Sequence, residues 1–441
     1  MSGRLGAGRR TVAPPAPGMR VVVDVRPLQE PARAPTTATY LGELLGAYAA
    51  DPLVGESFAI ILQAGLPDPI EAAELAGLPV SARRALPPSS LLGSGSLTVD
   101  PFLLRSASVG TSWGAERDGA AGSVYHASGG AVPLASGLPV VVTLLDLAPW
   151  ELPNVYQASI AARFGQRLRA RILRDAAAVI VGSTATANAV RRLLHVRRER
   201  IRVVRLAARA VFRPEAAAGA ADEAALLGIT GRYFVYPGRY DARQDLGTLL
   251  RAFATLAEGT DGTRERAAAG TGSRSRGRGR AAADADAWPP RLVLVGASPD
   301  DRAALARAAA REGVGELLAY APYASDERLA ALVAGARAVV LPTLSDAAGL
   351  AAIEATAAGV PVIASTVGAL PEIVSGVGIL VEPRDVARLA AAVATAWSDD
   401  AVHDRLAAAA RARSLKSPRT WRDVARETRA VYGSVARVPE A

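Results

Sequence analysis

Short, almost continuous apolar runs recur along the chain, and each is followed by a turn and then by a longer segment with helical spacing. The runs Met19–Leu28, Leu138–Leu147 and Arg337–Pro342 are typical of strands that are buried on both faces of a sheet. Strands and helices alternate in two successive halves, each of which opens on such a run. The pattern predicts an α/β protein with two Rossmann-like domains.

Two segments interrupt this alternation. The segment from about residue 78 to residue 122 is rich in Ser, Gly, Pro and Ala. Its apolar residues show little periodicity, which predicts a long loop insertion in the first domain. Residues of about 258–290 are of low complexity, which predicts a disordered insertion in the second domain. Ala216–Ala225 is predicted as the linker. The chain is therefore divided into a disordered tail at 1–18, a first domain at 19–215, a second domain at 226–415 and a terminal helix at 416–441.

Composition narrows the classes of protein to consider. Half of the 441 residues are hydrophobic, so packed domains are expected and a disordered chain is excluded. No apolar run reaches the ~18 residues of a membrane span, and Met1–Gly18 lacks the apolar centre of a secretory signal. We therefore expect a cytoplasmic protein, whose start is either Met1 or Met19. The absence of cysteine excludes thiol chemistry, and three scattered histidines argue against a zinc site.

The net charge of +9 is carried almost wholly by arginine. It favours anionic partners such as nucleotide sugars or anionic lipid surfaces. No recognition motif for nucleic acid accompanies it, so no nucleic-acid partner is expected. Five arginines lie in the predicted helix Ile160–Ala178. They form either a solvated face or a peripheral contact with the inner face of a membrane, and the sequence leaves both alternatives open.

One βαβ unit concentrates the candidate chemistry. The strand Arg337–Pro342 leads into a polar loop with Asp346, a helix from Leu350 that carries Glu354, and a Gly-Pro turn before the next strand. Ligands of such units bind over the helix N-terminus. Gly349 lets backbone N–H groups approach a phosphate, while the two carboxylates accept hydrogen bonds from hydroxyls on either side, as a nucleotide sugar requires. The alternative is a helix capped by Asp346, with Glu354 an ordinary surface residue.

This segment resembles the donor-site signature of glycosyltransferase family 4, which is roughly Glu-Gly-Phe-Gly-Leu-Pro-x-x-Glu-Ala. Gly359–Ser365, Leu370–Val374 and Gly378–Pro383 match the continuation of the pattern, and the resemblance covers about residues 19–436 apart from the two insertions. It implies a GT-B fold: two Rossmann-like domains across a cleft, with a C-terminal helix that crosses back to the first domain. It also implies a retaining hexosyltransferase, which moves a mannose- or glucose-like sugar from a nucleotide sugar to a hydroxyl of a glycan or lipid-linked acceptor, as in polysaccharide biosynthesis. No metal and no cofactor are expected.

The resemblance assigns donor-binding roles to six residues. They are Gly238, Arg239, Gln244, Gly349, Leu350 and Glu354. Arg239 and the helix start at Gly349 would neutralise the diphosphate, and Glu354 would bind the ribose. Gln244 stands where the family has a lysine, so a second phosphate cation is missing at that position. Arg243 is adjacent, but nothing in the sequence requires its side chain to point the same way.

The resemblance also marks three candidate catalytic residues. Asp346 stands in place of the first glutamate of the signature and would hold sugar hydroxyls. Asp146 belongs to a strand motif in which Leu145 replaces the family's histidine, and its alternative role is a turn cap. His126 lies at the end of another strand. Its side chain either contacts substrate or caps that strand.

Four departures from the family pattern bear on chemistry. Threonine and alanine replace two loop glycines before Tyr40, and Leu145, Gln244 and Asp346 replace a histidine, a lysine and a glutamate. They raise the alternative of a catalytically degenerate relative that serves as a partner subunit or a glycan-binding scaffold. A nucleotide-sugar epimerase of the same fold is a third alternative, which would release a free sugar without an acceptor.

Overall fold

A computed structural model describes residues 18–88, 100–105, 122–128, 132–134, 136–268, 288–323, 325–416 and 418–436, with only the backbone described from 259 to 268. These residues form two parallel sheets flanked by helices, which confirms the predicted α/β class. Residues 1–17, nearly all of the predicted tail, lie outside the described residues. No helix in the described ranges combines the length and the apolar character that a membrane span requires.

The first sheet has seven parallel strands in the order β3-β2-β1-β4-β5-β6-β7. Its strands are β1 (Met19–Asp24), β2 (Ser57–Gln63), β3 (Val80–Leu86), β4 (Gly122–Ser128), β5 (Val140–Thr143), β6 (Ala178–Val181) and β7 (Ile201–Val203). Its helices are α1 (Arg26–Gln29), α2 (Pro35–Ala50), α3 (Ala148–Glu151), α4 (Pro153–Tyr156), α5 (Ile160–Asp175) and α6 (Thr184–Leu194). Val21 and Val23 enter the core on one face of β1 and Val22 enters the core on the other, which explains the continuous apolar run.

The second sheet has six parallel strands in the order β10-β9-β8-β11-β12-β13. Its strands are β8 (Tyr233–Tyr236), β9 (Arg291–Val295), β10 (Leu318–Ala321), β11 (Ala338–Leu341), β12 (Val362–Ser365) and β13 (Gly378–Val381). Its helices are α7 (Ala220–Ala225), α8 (Leu246–Ala268), α9 (Pro299–Arg311), α10 (Asp326–Ala334), α11 (Leu350–Ala357), α12 (Leu370–Val374), α13 (Val386–Ser398) and α14 (Asp400–Lys416). The last helix of the chain is α15 (Trp421–Val435).

Both sheets reverse their strand order beside the first strand, between β1 and β4 and between β8 and β11. In open parallel sheets, the crevice at such a switch point is the usual ligand site, because the loops after the two strands diverge to opposite faces. The loops that leave β8 and β11 carry the predicted donor-binding residues. The topology therefore places those residues at one edge of the second sheet.

Three predicted boundaries are wrong. β3 lies inside the segment predicted as a loop, and pairs with β2. Its side chains are mostly exposed and include Arg83 and Arg84, which is typical of an edge strand and hides the strand pattern. The predicted linker at 216–225 is helical, since a 3₁₀ turn at Pro214–Gly219 leads into α7, and both pack on α10. Helix α8 continues to Ala268, about ten residues into the segment predicted as disordered, and residues 269–287 lie outside the described ones.

Helix α15 follows the second domain in sequence but packs on the first. Trp421, Val424 and Tyr432 enter the core that contains β1 and α2. The Tyr48 hydroxyl donates to the Tyr432 hydroxyl at 3.3 Å. The chain therefore crosses between the two domains twice, once before β8 and once after α14.

Candidate active site

The loop after β8 is held in an unusual backbone conformation. Gly238 has φ +101°, and Arg239, which is not a glycine, has φ +72°. A left-handed conformation is costly for a residue with a Cβ and persists only where the surroundings stabilise it. Here the buried Tyr236 hydroxyl donates a hydrogen bond to the Arg239 carbonyl. The result is that the Arg239 side chain is turned away from its own sheet and towards the first domain.

Arg239 reaches the start of helix α2 in the first domain. Its Nη1 donates to Thr36 Oγ1 at 2.8 Å, and its Nη2 lies 3.5 Å from Asp241. Burial, followed by the neighbouring Arg243, lowers the pKa of Arg239. Thr36 stands where the family has a glycine, so its hydroxyl occupies space that a bare backbone would leave to a ligand.

Arg243, rather than Gln244, is the second cation of the cleft. Its Nη1 lies 2.7 Å from Asp146 Oδ1 in the first domain, and its Nε lies 3.1 Å from Asp241. Burial opposes its charge, but Asp146 and Asp241 outweigh burial and raise the pKa of Arg243. Gln244 forms no side-chain hydrogen bond with a described residue. A second guanidinium therefore lies in the cleft, one position before Gln244.

The reason is the local turn. Residues Ala242–Gln244 form a 3₁₀ turn that Asp241 caps, and the turn ends on Asp245 with φ +47°. Neighbouring side chains of a 3₁₀ turn point about 120° apart. Arg243 and Gln244 therefore face different directions, and it is Arg243 that faces the first domain.

Asp146 caps a turn, which is one of the two roles that the sequence left open, and it also forms an ion pair across the cleft. Its Oδ1 accepts from the backbone N–H of Ala148 at 2.8 Å, which caps α3, and the same oxygen pairs with Arg243. One turn later, Glu151 accepts a hydrogen bond from Ser345 Oγ of the second domain. Burial raises the pKa of Glu151. Sequence analysis missed Glu151, because its only signal is its distance of five residues from Asp146.

Asp346 fixes the two residues that precede helix α11. Its Oδ1 accepts from the N–H groups of Gly349 at 2.7 Å and Ala348 at 3.2 Å. Burial raises the pKa of Asp346, and the two N–H groups and Arg243 oppose the rise. Both N–H groups precede the helix, and the described helix Leu350–Ala357 has no side-chain cap, so the alternative of a capping aspartate is not observed either. The predicted phosphate contact of Gly349 requires the Asp346 carboxylate to move.

The two residues that open α11 are fixed by packing. Gly349 has φ +66°, and a Cβ there would lie 2.2 Å from Ile373 Cδ1, so a glycine is favoured at this position. Leu350 is partly buried against the core of the first domain. The helix start is therefore part of the contact between the domains.

Glu354 is buried and paired with an arginine that sequence analysis did not select. Arg209, beyond β7, donates from Nε to Oε1 at 2.6 Å and from Nη2 to Oε2 at 3.0 Å. It also lies 2.5 Å from Asp326 at the start of α10. Burial opposes the charge of Arg209, but the two carboxylates outweigh burial and raise its pKa. The interpretation of Glu354 as an ordinary surface residue is wrong, and its predicted ribose contact competes with Arg209.

A cavity of about 1310 Å³ adjoins this pair between α2 and α11. Glu43 of α2, Arg209 and Ile353 of α11 contribute to its lining. Burial raises the pKa of Glu43 to about 7, Arg209 opposes the rise, and Asp326 and Glu354 add to it. The cavity has the size of a small-molecule site and carries carboxylates suited to hydroxyl groups.

His126 lies outside the cleft. It is 1% exposed, with Nε2 at 2.8 Å from Thr143 Oγ1 and Nδ1 at 2.6 Å from the Tyr432 hydroxyl. Burial lowers the pKa of His126 to about 3, so the ring is neutral at physiological pH. The predicted substrate contact is wrong, because protein groups occupy both ring nitrogens. His126 instead links β4 to β5 and to α15.

Further contacts join the two domains beside the cleft. Thr186 Oγ1 of α6 donates to the Ala347 carbonyl at 2.9 Å. Glu372 of α12 accepts from the backbone N–H groups of Thr184 and Ala185, at the N-terminus of α6. A carboxylate is favourable there, since the positive end of the helix dipole faces it. The described conformation is thus one in which the domains touch around the candidate site.

Known proteins resemble this chain in the sequence of its second domain and in its fold. Residues 226–413 match the family model described as glycosyl transferases group 1, which confirms the resemblance predicted for this part of the chain.

The structure resembles sucrose-phosphate synthase from Thermosynechococcus elongatus (22% identity, TM-score 0.66, 95% of this chain and 98% of that one). It also resembles WaaG, a glycosyltransferase involved in lipopolysaccharide biosynthesis (14%, 0.65, 93% and 98%). A third similar structure is Anabaena HepE in complex with UDP-glucose (15%, 0.62, 93% and 98%). These likenesses confirm the GT-B fold. No curated protein sequence matches the chain.

Proposed function

We propose that this protein transfers a hexose from a nucleotide sugar to an acceptor hydroxyl, with retention of anomeric configuration. The match of residues 226–413 to the family model of glycosyl transferases group 1 and the GT-B fold of the two sheets support this proposal. The acceptor in this proposal is a glycan or a lipid-linked sugar. The observation that carries the proposal is the convergence of Arg239 and Arg243 at the switch point of the second sheet, where both reach the first domain.

The two arginines supply what the departure of a nucleoside diphosphate requires. Negative charge develops on the diphosphate as the bond to the sugar breaks, and fixed cations in a site of low dielectric stabilise it. Arg239 and Arg243 provide two such cations without a metal. A donor diphosphate at Arg243 replaces the carboxylate of Asp146, which then accepts a hydrogen bond from a sugar or acceptor hydroxyl.

The nucleoside half of the donor is assigned to the cavity between α2 and α11. Glu43 lines this cavity and Glu354 adjoins it through Arg209, and these two carboxylates are assigned to the ribose hydroxyls. Burial raises the pKa of Glu354, and Arg209 opposes the rise. HepE was solved with UDP-glucose, which makes a uridine nucleotide the first donor to test. In this proposal Asp346 releases the N–H groups of Ala348 and Gly349 to the phosphate and turns to the sugar.

A catalytically degenerate relative that binds a partner glycosyltransferase or a glycan is the second candidate. One observation favours it: Asp346 and Glu354, the two carboxylates of the family signature, are both engaged by groups of the chain itself. A donor has to displace Asp346 from two N–H groups and share Glu354 with Arg209. A degenerate relative that no longer binds a donor requires neither of these rearrangements.

Calorimetric titration with UDP, GDP and ADP separates the candidates. We expect one nucleotide to bind, and Arg243→Gln to weaken that binding about 100-fold, since a charge-assisted phosphate contact contributes on the order of 2–3 kcal/mol. Arg232→Gln is the matched control, because Arg232 pairs with Asp400 on the surface of the second domain. Equal binding by the two variants would remove Arg243 from the donor site.

Turnover of the nucleotide sugar that binds then decides between transfer and a scaffold. Consumption that depends on added acceptor, and that falls on the order of 10²–10³-fold in Arg243→Gln, supports the proposed reaction. Binding without consumption supports the degenerate relative. Release of free sugar without acceptor indicates the epimerase. No nucleotide binding at all contradicts the transferase.

A further inference from the structure

Helix α5 has one face that the rest of the protein does not cover. Its buried positions include Gln166, Ala170 and Leu173, which pack towards the first sheet. Its outer face, a name used here for six exposed residues, follows a spacing of three, four or seven along the helix. These residues are Ile160, Arg163, Phe164, Arg167, Arg171 and Arg174. At 3.6 residues per turn they fall within an arc of about 100°, opposite the buried positions.

The outer face divides into an apolar end and a basic end. Ile160 is 79% exposed and Phe164 is 57% exposed, both in the first turns of the helix, and Val155 of the preceding α4 is also exposed. The other large exposed apolar side chains among the described residues are scattered singly over the chain. Grouped exposed apolar side chains indicate a contact surface, whereas single ones are ordinary.

The basic end is not neutralised by the protein. Arg163, Arg167, Arg171 and Arg174 form no ion pair with any described side chain, and the one acidic residue of α5 is Asp175 at its last position. Arg200 donates to the Arg174 carbonyl at 2.7 Å, which brings another guanidinium beside this end. Helix α6 packs on α5 and adds the exposed side chains of two further arginines, 191 and 192. The positive charge therefore continues beyond α5.

We propose that the outer face of α5 docks on a membrane surface that contains anionic phospholipids. Arginines attract the lipid headgroups, while Ile160 and Phe164 enter the boundary between headgroups and acyl chains. The order of the residues fits one orientation, in which the N-terminal end of α5 lies deepest. This docking does not depend on the proposed transfer reaction, because none of the six residues lines the candidate active site.

The combination of arginines and apolar side chains on the outer face favours an anionic membrane over a second copy of the chain or a nucleic acid. A second copy of the chain would place arginine against arginine in a symmetric contact, which is unfavourable. A nucleic acid would neutralise the arginines but would leave Ile160 and Phe164 in water. An anionic lipid surface satisfies both ends of the face at once.

Vesicle co-sedimentation of the full chain tests the docking. We expect binding to phosphatidylcholine vesicles that contain about one third phosphatidylglycerol, weak binding to phosphatidylcholine alone, and a loss at high salt. Replacing the four arginines of the outer face with glutamine should lower the partition coefficient on the order of 10²–10³-fold, at about five-fold for each arginine. Arg307→Gln with Arg311→Gln, on the exposed side of α9, is the control and should leave binding within about two-fold.

The absence of cysteine allows a second measurement at single positions. Ile160→Cys carrying an environment-sensitive fluorophore should shift to the blue on adding anionic vesicles, and Leu226→Cys, exposed in the second domain, should not. All of the replaced side chains are exposed, so the variants should keep the far-UV spectrum and the melting temperature of the parent chain.

The proposal is overturned by any of four results: no preference for anionic vesicles, an equal loss in the α9 control, equal shifts at both labelled positions, or a concentration-dependent dimer that the arginine replacements abolish. Duplex DNA that binds through the same arginines and competes with the vesicles would likewise assign the face to nucleic acid and contradict membrane docking.

Discussion

Two ion pairs of the same length link the first domain to residues beyond it, and they differ in their surroundings. Arg429 of α15 lies 2.7 Å from Glu56, with side chains 5% and 4% exposed. Arg243 lies 2.7 Å from Asp146, with side chains 9% and 36% exposed. The first pair is also supported by the Tyr48 ring, 4.6 Å below the Arg429 guanidinium, and by the Asp51 carbonyl, which accepts from Arg429.

The difference shows how the fold separates a permanent contact from an exchangeable one. A buried pair has no competing partner, so removing one member leaves a charge without compensation. A pair whose carboxylate is over one third exposed can exchange its partner for water or for a ligand phosphate at small cost. The chain thus holds α15 on the first domain with one arginine and keeps another available in the cleft.

The largest expected effect distinguishes the two pairs by stability. Arg429→Met leaves Glu56 buried and unpaired, so the free energy of unfolding should fall by about 3–5 kcal/mol. Arg243→Met should lower it by no more than about 1 kcal/mol, because Asp146 can be hydrated. Urea unfolding followed by circular dichroism measures both. The double variant Arg429→Met/Glu56→Leu should be more stable than Arg429→Met alone; equal instability would show that the ion pair is not the cause.

The free energy of unfolding, measured as a function of pH, tests how α15 is held on the first domain. The relevant group is His126, whose Nδ1 is hydrogen-bonded to the Tyr432 hydroxyl of α15. The folded pKa of His126 is about 3 and the unfolded value is 6.5, so the unfolded chain binds more protons between these limits. The contribution of neutral His126 to the free energy of unfolding is therefore fully present above pH 6.5. It is lost as the pH falls towards 3, at up to about 1.4 kcal/mol per pH unit.

His126→Gln should remove that part of the slope, whereas His195→Asn, at an exposed residue in a left-handed conformation that asparagine tolerates, should retain it. Unfolding curves at several pH values below 6.5 provide the measurement. An unchanged slope in His126→Gln would mean that other groups control acid unfolding.

A smaller effect is expected at the cleft, where Asp146 competes with the donor for Arg243. Asp146→Asn removes the charge of the competitor and keeps the hydrogen bond to Ala148, so nucleoside diphosphate affinity should rise by several-fold. Calorimetric titration measures the change, and Asp385→Asn, a helix cap on the surface of the second domain, is a suitable control. Weaker binding in Asp146→Asn would show that the pair organises Arg243 for the ligand and does not compete with it.

A further effect is expected at Glu43, which is partly buried beside the cavity. Its folded pKa of about 7 exceeds the ordinary 4.5, so the group contributes stability below pH 4.5 that is lost as the pH rises through 7. Glu43→Gln should therefore raise the melting temperature at pH 8 and leave it nearly unchanged at pH 4. Differential scanning fluorimetry at the two values tests this, and an equal rise at both would point to packing instead of charge.

Much of the fold could be predicted because each parallel strand that is buried on both faces appears in the sequence as a continuous apolar run. Val21, Val22 and Val23 are all apolar since the two faces of β1 each carry a core. The edge strand β3 escaped prediction for the opposite reason: its exposed Arg83 and Arg84 remove the apolar signal. Burial, and hence pattern, is strongest at the centre of a sheet and weakest at its edges.

The candidate site was predicted less completely, because its side chains meet across a large separation in sequence. Arg239 and Asp146 were selected from motifs, and both lie in the cleft. Arg243 and Arg209 were not selected, since the direction of a side chain in a 3₁₀ turn and the partner of a buried carboxylate are properties of the folded chain. His126 was selected for its position at the end of a strand, but α15 covers it.

The sequence by itself determined the alternation of strands and helices, the two-domain architecture, the glycine that precedes α11 and the resemblance of the second domain to a family pattern, because these depend on local periodicity and on backbone conformations that few residues adopt. Only the tertiary structure decided which arginine faces which carboxylate. Those pairs join residues from about 100 to more than 370 positions apart, and their exposure, which decides whether a pair is permanent or exchangeable, exists only when two domains and a crossing helix are brought together.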